Sequence, residues 1–299
     1  MIAETAWEVG RLDEGRGPCR VLFGQMYEDA EIESAAFAGK RRVFCIASAG
    51  STALRLAEEH EVVACDINAA QLAYAERRAR GGGVEKGDAE RVMNFARAFM
   101  PLVGWRRETV RDFLALSDVA GQTAFWSECL DTRRFRAGFD ALASRSILRA
   151  AYSGRLLSIL PAKFGAVLRG RLERGFARHA NASNPYAAAL LAGKAGDETP
   201  RKTKNIRFVL NDAASFLEEC PAGAFDAFAL SNILDGAEIS YRRRLSRAVR
   251  RAAAENAVVV WRSFAEPGPG MRTNRAEQDR SLLWGVVGAG GAEEFRGGG

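Results

Sequence analysis

The sequence predicts an α/β fold built on a largely parallel sheet, and three observations predict it. Short apolar runs rich in strand formers recur along the chain, helical patterning follows each of them, and several end on turn or acidic residues. Alternation of this kind covers both faces of a sheet with helices. The first unit is VFCIA after Arg42, the small-residue turn Ser48-Ala49-Gly50, and a helical run from Thr52 to Glu59. VVAC follows, ending on Asp66, and Asn68 with Gln71 can cap a helix through Arg80. Further strands are expected at Ile206 to Leu210, Phe225 to Asn232 and Ala257 to Phe264, with a helix from about Glu238 to Ala254.

More than 100 residues of mostly helical pattern separate the second helix from Ile206. That is too long for a loop in a compact domain, so it reads as a helical insertion that covers the cleft and recognises a second substrate. The expected organisation is residues 1–80 for the first half of the sheet, 81–204 for the insertion, 205–284 for the second half and 285–299 for a flexible, Gly-rich tail. Asp197 to Lys204 is the polar return to the sheet.

Composition narrows the class. With 47% hydrophobic and 27% charged residues the chain can bury a sizeable core, and no apolar run approaches the roughly 20 residues of a membrane span. The first ten residues lack the basic and apolar regions of a signal peptide, so a cytoplasmic protein is expected. Five scattered cysteines without a Cys-x-x-Cys pair, and only two histidines, argue against a disulfide scaffold and against a metal site. Cys45 and Cys65 lie inside apolar runs and read as small core residues. The net charge of +6, concentrated in Arg155 to Arg178 and Arg242 to Arg251, allows an anionic partner. Nucleic acid is not expected, because the basic stretches lack interleaved aromatic residues.

In an open parallel sheet, ligands bind beyond the carboxyl ends of the strands, so Gly50, Asp66, Asp212 and Asn232 should converge on one cleft. The small residues Ala47 to Ser51, Ser48 among them, let a ligand approach the backbone closely. Asp66, 16 residues after Gly50, stands where a carboxylate accepts ribose hydroxyls. This geometry suits a nicotinamide dinucleotide and S-adenosylmethionine alike, but the missing Gly-x-Gly-x-x-Gly argues against the dinucleotide. Asn68 joins the cofactor set beside Asp66, and Asp212 could reach an adenine amino group. Plain turn and cap roles are the ordinary alternatives.

Several separated motifs carry a resemblance: FGQMYED (Phe23 to Asp29), RVFCIASAG (Arg42 to Gly50), VVACDIN (Val62 to Asn68), HANASNPY (His179 to Tyr186), FDAFALSNILD (Phe225 to Asp235) and DRSLLWG (Asp279 to Gly285). In this order the chain resembles the S-adenosylmethionine:diacylglycerol 3-amino-3-carboxypropyl transferases of betaine-lipid synthesis. The resemblance implies a Rossmann-type class I methyltransferase fold with a large helical insertion. It also implies S-adenosylmethionine as cofactor and a lipid or small-molecule hydroxyl as acceptor. The acceptor would attack the γ carbon of the methionine moiety and release methylthioadenosine. Methyl or aminocarboxypropyl transfer to a small phenolic or alcohol metabolite stays open beside it.

For such a transfer, His179 is a candidate proton acceptor. Tyr186 is a candidate hydrogen-bond donor to the acceptor or the cofactor carboxylate. Asn232 and Asp235, after the fourth strand, stand where this fold addresses the transferred group. Arg262 and Arg280 are candidates for pairing with the methionyl carboxylate. Lys163 to His179 mixes apolar positions with arginines and could lie on an anionic membrane, or else be an ordinary packed amphipathic helix. His60, ending a helix, reads as structural.

Overall fold

Strand β1 (Arg42–Ile46) sends Val43 and Cys45 into one apolar layer and Phe44 and Ile46 into the other. A strand buried on both faces needs apolar residues throughout, which is what VFCI supplies. The computed structural model describes residues 18–149, 154–194, 205–268, 271 and 273–296. The other strands are β2 (Glu61–Asp66), β3 (Ile206–Leu210), β4 (Phe225–Ala229), β5 (Ala253–Ser263) and β6 (Val286–Gly291). They form one six-stranded sheet in the order β3-β2-β1-β4-β5-β6. The first five run parallel and β6 runs antiparallel to β5. The arrangement is Rossmann-like, and the strand order reverses between β1 and β4.

Helices α1 (Glu31–Ala36), α2 (Ser51–Leu56) and α3 (Ala69–Ala79) precede or follow the first two strands. Ile32, Ala53, Leu56, Leu72 and Ala75 from these helices join the Val43 layer. Asn68 caps α3 by accepting the N–H groups of Ala70 and Gln71, as its position before the apolar pattern predicts.

The stretch between α3 and β3 is helical: α4 (Asp88–Ala98), α5 (Arg107–Leu114), α6 (Val119–Phe125), α7 (Arg133–Leu142), α8 (Arg145–Leu148), α9 (Gly154–Ser158), α10 (Phe164–Phe176) and α11 (Pro185–Ala192). It has an aromatic core of its own, in which Trp105 stacks on Phe135 at 4.3 Å and Phe113 meets Phe176 edge-on. Asp197 to Lys204 lies outside the described residues. On the second face of the sheet, α12 (Ala213–Glu219) and α13 (Ile239–Ala252) bury Phe216, Leu217, Leu245 and Val249 against Phe44, Phe225 and Phe228.

One expectation is corrected. The Gly-rich end is not a tail: Val286 to Gly291 pairs with β5 from Ser263 back to Val258, and Phe295 beyond it is buried. Gly288 is needed there, because a Cβ would stand 2.2 Å from the Trp261 ring. Lys163 to His179 takes the second of its two readings, the ordinary packed amphipathic helix. Helix α10 buries Arg171, Leu172 and Phe176, and Arg169, Arg171 and Arg178 are paired with Asp140, Glu266 and Glu277. It is a packed helix whose cations are largely taken. Cys45 and Cys65 are core residues as read from sequence, and burial raises both thiols, Cys65 to about 12. His60 is buried and its Nδ1 meets the Lys40 carbonyl. Among the described residues no helix is long and apolar enough to cross a membrane.

Candidate functional site

The turn after β1 and the end of β2 are fastened to each other through Asp66. Its Oδ2 accepts the Ser48 N–H at 2.9 Å and its Oδ1 the Asn68 N–H at 2.9 Å. Among the described residues Asp66 has no cationic partner, and burial raises its carboxyl to about 6 despite the backbone donors. Each carboxylate oxygen keeps acceptor capacity for a further donor. Gly50 adopts φ +86°, a conformation costly for other residues, and a Cβ there would stand 3.2 Å from the Ala75 Cβ. Buried Arg78 of α3 holds the turn from behind, donating to the Ala49 carbonyl at 2.6 Å and to Ser51 Oγ at 3.0 Å.

Ser48 after β1 and Ser231 after β4 both have positive φ, 42° and 51°. For non-glycine residues this is sparsely populated, and such strain concentrates where a fold positions function. Here the two residues flank the reversal of strand order.

A strap of chain, residues 20–29, passes the carboxyl ends of β2, β1, β4 and β5 in that order. Asn68 Nδ2 donates to the Arg20 carbonyl. Gln71, almost fully buried, accepts the N–H groups of Leu22 and Phe23 and donates to the Phe23 carbonyl. Tyr74 donates its hydroxyl to the Gly24 carbonyl at 2.6 Å. Met26 packs on Ala49 and donates its N–H to Ser51 Oγ. The Trp284 indole donates to the Tyr27 carbonyl, and the Ser231 hydroxyl donates to the Glu28 carboxyl.

The strap ends in a buried ionic cluster. Arg262 is fully buried; its Nε donates to Asp279 at 2.9 Å and its two terminal nitrogens to Glu33. Glu28 lies 3.5 Å from the same guanidinium. Asp29 takes a two-pronged pair from Arg280, at 2.5 and 2.6 Å. Four carboxyls thus share two guanidinium groups. Burial, reinforced by Glu33 and Asp279, raises the Glu28 carboxyl to about 7 although Arg262 opposes the shift.

The candidate residues fall into two groups. Ser48, Gly50, Asp66 and Asn68 meet at the ends of β1 and β2, with Asn232 and Asp235 following the neighbouring β4. Asp212 follows β3, but it works as a cap: its oxygens take the Ser215 N–H and hydroxyl, the Tyr241 hydroxyl and Arg244. Asp235 is buried and clamps the end of β5 by accepting from Ser263 Oγ at 2.6 Å and the Phe264 N–H at 3.0 Å, while Asn232 donates to it. Arg262 is corrected outright, because a guanidinium with no exposed surface and its N–H groups on protein acceptors cannot reach a ligand carboxylate. Arg280 is half-buried and committed to Asp29. The Tyr186 hydroxyl donates to the Glu28 carbonyl, so it fastens the insertion to the strap. His179 Nε2 meets the Glu277 carbonyl at 2.9 Å, far from free in its geometry.

Sequence reasoning missed Glu28, Ser231 and Arg78, and it read Gln71 as a capping partner of Asn68 whereas the Gln71 side chain holds the strap. FGQMYED marked the strap as a motif, but nothing local shows that both of its acids, Glu28 and Asp29, are buried.

Two cavities are described, neither lined by Gly50, Asp66, Asp212 or Asn232. The larger, about 310 Å³, lies between α10 and residues 266–285, with Arg171, Arg174, Glu266, Glu277 and Asp279 among its walls. The smaller, about 100 Å³, has Gln25 and Tyr27 of the strap on one side and Asn94 and Arg97 of α4 on another. Among the described residues no group of acids, histidines and cysteines is arranged to hold a metal ion. No family profile, curated protein or solved structure matches this chain.

Proposed function

We propose that the chain is an S-adenosylmethionine-dependent transferase of the class I methyltransferase type, moving the 3-amino-3-carboxypropyl group to a hydroxyl of diacylglycerol. The observation that carries the cofactor reading is Asp66: a carboxylate without a cationic partner among the described residues, fixed by two backbone N–H groups at the end of β2, beside the turn that follows β1. Ribose hydroxyls are the donors it suits. The tight turn at Gly50 and the small residues around it fit a nucleoside held close to backbone, with no glycine-rich cradle for a pyrophosphate. The antiparallel β6 beside β5 also departs from an all-parallel dinucleotide sheet. The motif resemblance supplies the group transferred and the acceptor.

In this reaction the acceptor oxygen bonds to the γ carbon as the carbon–sulfur bond breaks. The electron pair stays on sulfur, giving neutral methylthioadenosine, and the hydroxyl proton passes to a base. The protein mainly holds oxygen, carbon and sulfur in line. Glu28, buried beside Ser231 and Arg262, belongs to the strap's anchorage and is closed to an acceptor hydroxyl. His179, Tyr186 and Asp235 serve as fastenings in this arrangement.

The nucleoside product separates this reading from simple methylation. Purified protein is incubated with S-adenosylmethionine and diacylglycerol vesicles, and the product is identified by mass. Methylthioadenosine with a modified lipid supports the proposal; S-adenosylhomocysteine would replace it with methyl transfer.

A further inference from the structure

Helix α4 and the 3₁₀ turn after it (Met100–Val103) end in an apolar corner left exposed among the described residues. Phe95 is 65% exposed, Phe99 41% and Leu102 75%, and the two phenyl rings meet edge-on at 5.0 Å. Four of the seven exposed large hydrophobic residues among those described lie between Val84 and Leu102. Scattered exposed apolar residues need no explanation, but a paired aromatic corner with a leucine beside it does.

Two exposed arginines, Arg106 and Arg107, follow the apolar turn, with Glu108 directly after them, while Arg91 is paired with Asp88. Between Arg91 and Arg107 the sequence carries Arg91, Arg97, Arg106 and Arg107 and no acidic residue. An apolar tip with aromatic rings, flanked by arginines, is the chemistry that seats a protein in the headgroup region of an anionic bilayer. We infer that Phe95, Phe99 and Leu102 enter an anionic lipid surface, with Arg106 and Arg107 on the headgroups.

The placement of α4 gives this docking a direction. Its Glu90 carboxylate accepts the Gly24 and Gly87 N–H groups, so the helix that bears the corner also holds the strap. Asn94 and Arg97, on the turns between, line the smaller cavity opposite Gln25 and Tyr27. Glu90, Asn94 and Arg97 share the face of α4 turned away from Phe95 and Phe99, so a bilayer at the corner lies on the far side of the helix from the strap. The docking rests on the corner alone and not on the transfer reading.

The test is co-sedimentation of the full chain with vesicles of phosphatidylcholine containing about one-third phosphatidylglycerol, beside vesicles of phosphatidylcholine alone. Wild type is expected to pellet with the anionic vesicles, less so at high salt. Phe95→Asp with Leu102→Asp should lower the partition at least about tenfold, and Arg106→Glu with Arg107→Glu should remove the preference for anionic lipid. Both pairs are surface changes, checked by unchanged far-UV spectra and melting. No turnover is measured, so a failed transfer reaction leaves the result readable. No pelleting of wild type, or equal pelleting of the variants, would overturn the inference. So would a lipid-free dimer that Phe95→Asp converts to monomer, since the corner would then be a protein interface.

Discussion

Ser231 donates a hydrogen bond to the Glu28 carboxyl across 203 residues of sequence, joining the strap to the end of β4. The pair sits where the strand order reverses, and Glu28 in turn lies beside the buried Arg262. The strap, the sheet and the ionic cluster are thus one unit, which makes the strand ends sensitive to changes in any of them.

Glu28 should make stability depend on pH. Its carboxyl rises from an ordinary 4.5 to about 7 in the fold, so the folded chain holds a proton that the unfolded chain has released between those values. Its contribution is full below about pH 4.5 and is lost as pH rises through about 7, an effect on the order of 1–3 kcal/mol. Urea unfolding at about pH 5 and about pH 8 should show Glu28→Gln gaining on wild type at the higher pH. Parallel behaviour of the two proteins would contradict the burial of a titrating carboxyl.

Arg262 should be intolerant of replacement. Arg262→Met leaves Glu33 and Asp279 buried without their cation, a loss of roughly 3–5 kcal/mol. Denaturant melts should shift strongly, in contrast to Arg106→Glu on the surface. A small shift would mean that water or rearrangement satisfies those acids.

Gln71→Leu should release the strap while leaving the sheet intact. It removes the acceptor of the Leu22 and Phe23 N–H groups and the donor to the Phe23 carbonyl. Limited trypsin digestion at Arg20 should then quicken severalfold with little change in global melting, as local opening predicts. Unchanged cleavage would show that Tyr74 and Asn68 suffice to hold the strap.

Gly50→Ala should lower stability by roughly 1–3 kcal/mol, because alanine resists φ +86° and its Cβ would press on Ala75. Wild-type melting in this variant would mean that the turn can adopt another conformation.

The sheet was largely legible in the sequence because β1, β2 and β4 are buried on both faces and so read as continuous apolar runs. Asn68 was legible as a cap for the same local reason. β6 was not, since Gly288, Gly290 and Gly291 resemble a flexible end, and the reason for glycine at 288 is the Trp261 ring of the neighbouring strand. Arg262 misled because an arginine at a strand end looks the same whether its carboxylates come from a ligand or from Glu33, far away in sequence. Asp66 was found by its distance from Gly50, whereas Glu28 and Ser231 acquire their character only when the strap is laid across the strand ends.

The most direct measurement is calorimetric titration of S-adenosylmethionine into wild type and Asp66→Ala at about pH 7.5, where the Asp66 carboxyl is ionised. Saturable binding to wild type, weakening as pH falls through about 6 and lost in the folded variant, is the predicted result. No binding to wild type, or equal affinity in the variant, would contradict a cofactor site at the end of β2.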